Sequence, residues 1–600
     1  MKKSVLVCCG TGCLAAGSVG VLDALRRETE GVDVSVAPQY KATGCSGLCE
    51  SGPSVRILSG DGSDVSYYKV QPKDAGEIIS RTVLKGEIIE RLCYTGDDGK
   101  KLVSQNENPF FSNQKKVALR NVGIIDPIDI NDYLERGGYC AFTKALGMSS
   151  EEIIAEIEGS GLRGRGGAGF PTAAKWRVGA EQETGQKYIV CNGDEGDPGA
   201  FMDGYTMEGD PHSVIEGMLI AALAVGANHG FMYIRDEYAL ARKNFGIALE
   251  AARDNGYLGE NINETGFSFD IEIVRGGGAF VCGEETALLE SVEGKVGEPR
   301  FRPPYPSVSG LWGCPTVTNN VETFANIPVI IDKGCKAFAE VGTEKSKGTK
   351  VFAFVGKVKR TGLVEVPMGI TLRKLIYDIG GGIRNDRPFK AVQTGGPSGG
   401  CIPASMLDLT VDFETLTRHG AMMGSGGMII MDDTSCMVEV ARYYVSFLCE
   451  ESCGKCTPCR EGLRHMLSIL TGICEGRGRE GDVELLEKIA FTLKEASLCA
   501  LGKTAANPVL TTIKYFRNEY DAHIRESRCE AGMCRQMTVF CIDAEKCTGC
   551  GVCAKLCSAN AISGGKKEKH SIDATLCSAC GICRDRCKFN AVFAGRRNDL

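Results

Sequence analysis

Sixteen of the thirty cysteines in this 600-residue chain fall into four groups whose spacing suits iron–sulfur ligation. The last two are compact runs, Cys547-Cys550-Cys553-Cys557 and Cys577-Cys580-Cys583-Cys587, each of the form C-x2-C-x2-C-x3-C. That spacing wraps three thiolates around one 4Fe-4S cube and sends the fourth to its neighbour. Cys547, Cys550, Cys553 and Cys587 then hold one cube, and Cys577, Cys580, Cys583 and Cys557 the other. The proline that usually follows the fourth cysteine is replaced by Ser558 and Lys588, which changes the local turn and leaves the ligands intact. Zinc ribbons use paired CxxC knuckles and fit these quartets less well.

The third group, Cys453-Cys456-Cys459, puts three thiols in one tight turn, and a cube needs a fourth. Cys499 is preferred, because the intervening helical segment can fold back, whereas Cys474 stands in a Gly/Arg-rich stretch that reads as an exposed loop. The first group pairs Cys8 or its neighbour Cys9 with Cys13, and Cys45 with Cys49. Two ligand pairs on facing loops suit a 2Fe-2S rhomb, in which each iron takes two thiolates. A smaller set, His523, Cys529 and Cys534 with Cys541 further on, could close a tetrahedral zinc site that pins the tail to the body. Cys93, Cys191, Cys282, Cys314, Cys401 and Cys436 are scattered singly and read as core residues.

Glycine-rich segments carry a different chemistry. Gly164-Arg165-Gly166-Gly167-Ala168-Gly169 formally satisfies G-x-G-x-x-G, yet Ser149–Glu158 before it reads as a helix, where the ordinary dinucleotide fingerprint requires a strand. Its weight comes from its companions: Lys175, the acidic loop 192–198, a second glycine loop at 276–285, and Asn319-Asn320. Glycine backbone can approach a phosphate and donate N–H groups, while carboxylates and amides suit polyol hydroxyls and ring nitrogens.

The elements that must position these groups imply several domains, since one core stops growing at roughly 250–300 residues. Residues 1–92 read as a small thioredoxin-like α/β unit, with strands at Ser4–Val7, near Val34–Ala37 and Val55–Leu58, a helix near Val19–Glu28 and another from Lys73. A polar stretch at 96–113 reads as a linker. Residues 115–335 alternate short strands (Tyr188–Cys191, Gly230–Ile234, Phe269–Val274) with helices such as His212–Val225, as in a Rossmann-like sheet. Residues 345–430 resemble a β-grasp (SLBB-like) module, with strands Lys350–Val358 and Gly362–Val366 and a helix Thr371–Ile379. Residues 434–525 form a helical 4Fe-4S bundle, in which Val438, Ala441, Val445 and Leu448 recur at helical spacing. Residues 526–600 carry the zinc candidate and a ferredoxin-like tail. The fold class is therefore multidomain α/β.

An apolar fraction of 43% and a charged fraction of 24% are ordinary for a folded soluble protein. The net charge of -7 gives none of the basic footprint of a nucleic-acid binder. No apolar run approaches the ~18 residues of a membrane span, and no signal-peptide core follows the first residues, so a cytoplasmic protein is expected. Thiols stay reduced there, which favours metal ligation over disulfides.

The segments GRGGAGFPTAAKW, CNGDEGDPGAF, GGGAFVCGEETALLESVEGKVGEPR, PPYPSVSGLWG, PTVTNNVET and ESCGKCTPCREG resemble the FMN- and NADH-binding 51 kDa-type subunit of respiratory complex I and its soluble relatives in NAD(P)-linked hydrogenases and formate dehydrogenases. Together with the front 2Fe-2S unit and the two-cube tail, the whole chain is similar to the flavin subunit of an electron-bifurcating hydrogenase. The resemblance uses the x4 spacing at the front and so selects Cys8. It implies that Gly164, Arg165, Gly166, Gly167 and Lys175 line the FMN phosphate and isoalloxazine, with Asn192, Asp194, Gly283, Asn319 and Asn320 completing the flavin site. Phe170 and Tyr305 would stack on the nicotinamide cofactor and Glu285 would bind its ribose; Glu195, Asp197, Glu284 and Arg302 join the cofactor-binding set. Asp197 stands where the family often has glutamate and Val178 where it has an aromatic residue, which bears on the tuning of cofactor binding.

Hydride carriers give up two electrons together and iron–sulfur clusters take them singly, so FMN is the converter such a protein needs. No protein acid, base or nucleophile is then required for hydride transfer. The implied cofactors are FMN, NAD(P)H, one 2Fe-2S and three 4Fe-4S clusters, with zinc at the smaller set. The implied partners are a catalytic hydrogenase or formate dehydrogenase subunit, a small 2Fe-2S subunit and ferredoxin, in a hetero-oligomer without nucleic acid or a membrane span. A flavin-free, electron-wiring subunit is the rival of a different class.

Overall fold

The computed structural model describes residues 3–30 and 37–596. They divide into two compact units: Met1–Arg384 with Leu407–Arg418 and Met422–Ile430, and Asn385–Met406 with His419–Ala421 and Met431–Leu600.

The first unit opens with a four-stranded sheet in the order Gln39–Thr43, Ser4–Cys8, Val55–Leu58, Asp64–Tyr67. The first pair is parallel and the other two antiparallel. Helix Ser18–Arg27 buries Val21, Leu22, Ala24 and Leu25, the i, i+3, i+4 stripe of an amphipathic helix, against Val5, Val7, Val55 and Ile57. Most of the strand expected near Val34–Ala37 lies outside the described residues; the parallel partner of the first strand is Gln39–Thr43.

The polar stretch at 96–113 is folded rather than a bare linker. Tyr94–Thr95 pairs with Lys101–Leu102, a capping box of Ser104 and Glu107 starts a turn, and Asn108 caps helix Pro109–Ser112. Its polar residues are caps and its two phenylalanines, Phe110 and Phe111, are buried. The chain beyond is pinned by buried Glu365, whose carboxylate accepts from the backbone N–H of Val117, Ala118 and Leu119, each at 2.9 Å.

The central sheet is parallel, in the order Thr316–Asn320, Tyr188–Gly193, His229–Arg235, Asp270–Gly276. Helix Pro211–Val225, buried at all but one position, packs against helix Val321–Lys333. Such all-round burial suits its mainly apolar sequence, and the buried Glu216 within it accepts from Tyr133 Oη and the Phe142 N–H. Helix Ser150–Ser160, opened by the Ser149–Glu152 capping box and closed by Gly161 at φ 65°, leads into the 164–169 loop, and helix Thr172–Ala180 follows it. Strand Thr349–Gly356 pairs antiparallel with Gly362–Pro367 and parallel with Gly427–Asp432. The expected helix at Thr371–Ile379 is a wide π turn at Lys374–Ile379.

In the second unit, hairpin Phe389–Thr394/Gly400–Pro403 accompanies helices Met437–Glu451, Thr457–Cys474, Asp482–Ala496, Ala500–Thr504 and Asn507–Glu526. The tail repeats one pattern twice, with a short helix after each cysteine run (Val552–Leu556 and Ile582–Asp585) and antiparallel pairs Thr538–Ile542/Val592–Arg596 and Ile562–Ser563/Ser571–Ile572. No helix among the described residues is long and apolar enough to cross a membrane.

Candidate functional site

In the first unit, the sheet's first strand ends at Cys8, helix Thr11–Ala15 carries Cys13, and the loop after Gln39–Thr43 carries Cys45 and Cys49. Cys8, Cys13 and Cys45 are buried together, with Cys49 and Tyr205 packed on them. Cys45 and Cys49 Sγ lie 3.9 Å apart, and the Gly47 N–H donates to Cys45 Sγ at 3.4 Å. Cys9 points into the apolar core of the unit instead. Backbone is held tightly around the thiols: a Cβ at Gly52 would lie 2.4 Å from Cys13 Sγ. Four convergent thiols in a pocket shaped by glycine are a donor set that fits a 2Fe-2S cluster.

Around the glycine loops, Lys175 Nζ bonds Glu285 Oε1 and the Thr318 carbonyl, both at 2.8 Å. The Asn192 amide donates to Gly283 O at 2.9 Å, tying the acidic loop to the second glycine loop. Glu284 caps helix Glu285–Val292 through the N–H of Thr286 and Ala287, and Arg302 reaches its other oxygen at 3.3 Å. Asn320 Nδ2 donates to Asp203 at 2.6 Å, and a Cβ at Gly166 would press on Asn320 Cβ at 3.0 Å. Gly283 stands against the carbonyl of Asp194. Gly167 takes φ 133°, a conformation that favours glycine, and faces Gly424. Phe170 and Tyr305 are exposed, at 55% and 58%. Thr318 Oγ1 is buried without a hydrogen-bond partner among the described residues. A glycine cradle with a paired lysine, amides, carboxylates and two exposed rings fits a flavin phosphate and a nicotinamide cofactor.

Three residues of the expected cofactor set have other duties here. The Arg165 guanidinium is buried and donates to the carbonyls of Arg163 and Lys347, so it clamps the loop from behind rather than presenting charge to a phosphate. Asn319 Oδ1 accepts from Trp176 Nε1 at 2.8 Å and holds helix Thr172–Ala180. Glu195 accepts from the N–H of Asp203 and Gly204 and from Tyr238 Oη, which ties it to helix Met202–Gly209. Asp197 accepts from Ser425 Oγ at 2.7 Å. Burial pushes its carboxyl up to about 6, the Ser425 hydrogen bond opposes this, and Glu195 adds to the rise.

In the second unit, Cys456 and Cys499 stand at the N-termini of helices Thr457–Cys474 and Ala500–Thr504, and Cys459 lies one turn into the first of these. Burial pushes the Cys459 thiol up to about 12, with the charges of Cys456, Cys499 and Cys453 acting in the same direction, so Cys499 joins this set. Cys474 does not: it is the buried last residue of helix Thr457–Cys474, beside Glu439 and Cys534, where an exposed loop was expected. The glycines and arginines that follow it start the loop one residue later than their composition suggests.

The zinc candidate is corrected at one ligand. Cys436, His523, Cys529 and Cys534 are buried with ligand atoms all within 4.8 Å of one another. His523 Nε2 lies 3.4 Å from Cys436 Sγ and 3.3 Å from Cys534 Sγ, while Nδ1–H donates to Glu519 O at 2.7 Å and so aims Nε2 at the thiols. Cys541 is elsewhere. It sits in strand Thr538–Ile542 opposite Phe593, and that pairing carries it into the ferredoxin-like tail. Cys436, read from sequence as a core residue, precedes helix Met437–Glu451, which packs on the helix that bears His523. Eighty-seven residues separate the two ligands, so no local spacing could have joined them.

One small cavity of the tail is lined by Cys547, Cys550, Cys553 and Cys587. This is the crossed quartet expected from the repeat. The N–H of Ala561 and of Ala591 donate to Cys557 and Cys587 Sγ at 3.3 and 3.4 Å, the same bond at the same place in both repeats.

The Nuo51 FMN-binding domain matches residues 157–329, and the iron–sulfur binding region of NADH-ubiquinone oxidoreductase F matches 439–523. An SLBB domain matches 351–402 and a 4Fe-4S binding domain 540–563. NADP-reducing hydrogenase subunit HndC of Solidesulfovibrio fructosivorans is 51% identical over 457 residues, 76% of this chain and 93% of that protein. The chain belongs to the family of NADH-quinone oxidoreductase F subunits. Within that family, the F 2 subunit of Rhizobium meliloti is 46% identical, over 69% of this chain and 98% of its own. A solved NAD+-reducing NiFe-hydrogenase in the H2-reduced state shares 29% identity at a TM-score of 0.62, covering 87% of this chain and 84% of its own. The chain is a flavin and iron–sulfur oxidoreductase of this family with 4Fe-4S domains.

Proposed function

We propose that this chain is the NAD(P)H-oxidising flavin subunit of a multi-subunit, cytoplasmic hydrogenase, exchanging hydride with a nicotinamide cofactor and single electrons with its clusters. The observations that carry the reading are the ties among the glycine loops: Lys175 bonds Glu285, Asn192 bonds Gly283, and Gly166 stands against Asn320, the register partner of Asn192. FMN bound there would supply the hydride-accepting atom and the conversion between two-electron and one-electron chemistry. The protein residues bind and orient. The N–H groups of Gly166 and Gly167 and the Lys175 ammonium would meet the phosphate, while the Gly164 N–H, donated to the Phe170 carbonyl at 2.8 Å, and the Arg165 N–H, donated to Thr323 Oγ1, hold the loop closed. Asn192, Asp194 and Asn320 would fix the polyol and ring. Phe170 and Tyr305 would stack on the nicotinamide cofactor, and Glu285 and Arg302 would bind its ribose. In this reading Arg165, Asn319 and Glu195 hold the cradle in shape.

The same reading gives the chain one 2Fe-2S cluster at Cys8, Cys13, Cys45 and Cys49, a 4Fe-4S cube at Cys453, Cys456, Cys459 and Cys499, and two more in the tail, about fourteen irons in all. Structural zinc would sit at Cys436, His523, Cys529 and Cys534 and tie the second unit's helices to the segment before the tail. A two-cube tail suits exchange with a low-potential carrier such as ferredoxin, which supports electron bifurcation. The test is anaerobic assay of the complex with its native partners: hydrogen-driven NAD(P) reduction should depend on ferredoxin. Reduction by hydrogen alone, with no ferredoxin dependence, would remove bifurcation. Co-purification of a formate dehydrogenase in place of a hydrogenase would move the same flavin subunit to the other complex.

A further inference from the structure

Helix Met202–Gly209 is eight residues long and touches two sites. At its first turn, the N–H groups of Asp203 and Gly204 donate to Glu195 of the acidic loop, and Asp203 accepts from Asn320. At its other end, Glu208 accepts from the Thr11 N–H at 3.0 Å and from the Thr11 hydroxyl, in the segment between Cys8 and Cys13. Gly209 lies so close to Gly44, beside Cys45, that a Cβ at Gly44 would sit 2.5 Å from Gly209 Cα. Between these ends Tyr205 packs on the four front thiols, and its hydroxyl lies 3.7 Å from Cys49 Sγ.

We propose that Tyr205 is a positioning residue for the front cluster, donating its O–H to the Cys49 sulfur and raising that cluster's reduction potential. The inference rests on the reading of Cys8, Cys13, Cys45 and Cys49 as 2Fe-2S ligands. A cysteine bound to iron has lost its proton, so across this contact the tyrosine O–H is the only donor. An electron added to the cluster increases the negative charge on the sulfurs, which strengthens a hydrogen bond to them and favours the reduced state. Tyr205 belongs to the flavin domain, so the potential of the front cluster is set in part by residues outside its own small unit.

The experiment is an EPR-monitored redox titration of the full-length, cluster-loaded chain under anaerobic conditions, comparing wild type with Tyr205→Phe and Tyr205→Leu. Both variants should disfavour reduction of the 2Fe-2S signal by about tenfold, or about 59 mV for a one-electron couple. The 4Fe-4S signals should stay in place as internal references. By ENDOR, wild type should show one exchangeable-proton coupling, identified by its loss in deuterated buffer, that is absent from both variants, while the coupling of the Gly47 N–H on Cys45 Sγ remains in all three. A Tyr205→Phe cluster that titrates with wild type overturns the proposal, even if Tyr205→Leu shifts, since ring packing would then be responsible. A wild-type chain with no 2Fe-2S signal after full iron loading overturns the ligand reading beneath it, a different result from a signal that is present and unshifted.

Discussion

Replacing Cys436 by serine separates the zinc site defined by geometry from the one that sequence spacing suggests. The four donors, Cys436, His523, Cys529 and Cys534, are buried and mutually within 4.8 Å, so in the proposed zinc site each would be a full ligand and no water would be needed to close a tetrahedron. Structural zinc contributes about 10–16 kcal/mol of apparent binding energy at neutral pH, and an equal share among four donors is about 3 kcal/mol. Losing one should therefore weaken zinc about a hundredfold, since each 1.4 kcal/mol is about tenfold. Zinc per chain, measured by mass spectrometry after dialysis against a graded chelator series, should fall at about hundredfold lower chelator strength in Cys436→Ser than in wild type. Cys541→Ser should release zinc with wild type, because Cys541 pairs with Phe593 in the tail sheet. Cys474→Ala tests the neighbouring thiol and should also retain zinc. Stoichiometric zinc in Cys436→Ser together with its loss in Cys541→Ser would refute the reasoning.

Three further outcomes follow from the same structure. Asp197 has a folded pKa of about 6 against an ordinary value of 3.8, so the folded state binds its proton more tightly. Its contribution is therefore fully present below about 3.8 and is lost as pH rises through 6, a change of order 3 kcal/mol. Asp197→Asn should flatten the loss of stability between pH 4 and pH 7, read by urea unfolding of apo-protein through Trp176 and Trp312, both in the first unit; an unchanged pH slope would exclude Asp197 as its source. Cys587→Ser should remove the cube held with Cys547, Cys550 and Cys553 while the other tail cube keeps its Mössbauer signature; loss of the cube held by Cys577, Cys580 and Cys583 instead would contradict the crossed pairing. Lys350 and Glu322 form a buried ion pair, so Lys350→Met should cost about 3–5 kcal/mol and Lys350→Met with Glu322→Gln should recover much of it in chemical denaturation; equal losses would argue against an uncompensated charge.

What could be read in the chain followed the range of the interaction. The tail quartets and the Cys453 turn are local patterns; Cys547, Cys550, Cys553 and Cys587 line one cavity, and Cys453, Cys456 and Cys499 lie around Cys459. Helix Met437–Glu451 was legible for the same reason, since Val438, Ala441, Val445 and Leu448 all face inward. Cys436 was not, because its partners come from two other segments. The stretch at 96–113 misled because capping residues and loop residues are the same types, and the buried Phe110 and Phe111 were the only contrary sign. Arg165 sits inside a phosphate-loop motif, yet its side chain turns to carbonyls at 163 and 347, a choice made by the tertiary fold. Tyr205 had no motif at all, and its place beside Cys49 depends on how the front unit packs on helix Met202–Gly209.

The central claim is that this chain takes electrons from a nicotinamide cofactor through a flavin and hands them to its clusters. One anaerobic titration of the FMN-loaded, iron-loaded chain with NADH and with NADPH, followed by flavin absorbance and by EPR, tests it most directly. The account predicts that one of the two bleaches the flavin and brings up iron–sulfur signals in the same samples. Clusters that dithionite reduces in the FMN-loaded chain while neither nicotinamide bleaches the flavin or reduces them would contradict it and leave an electron-wiring subunit.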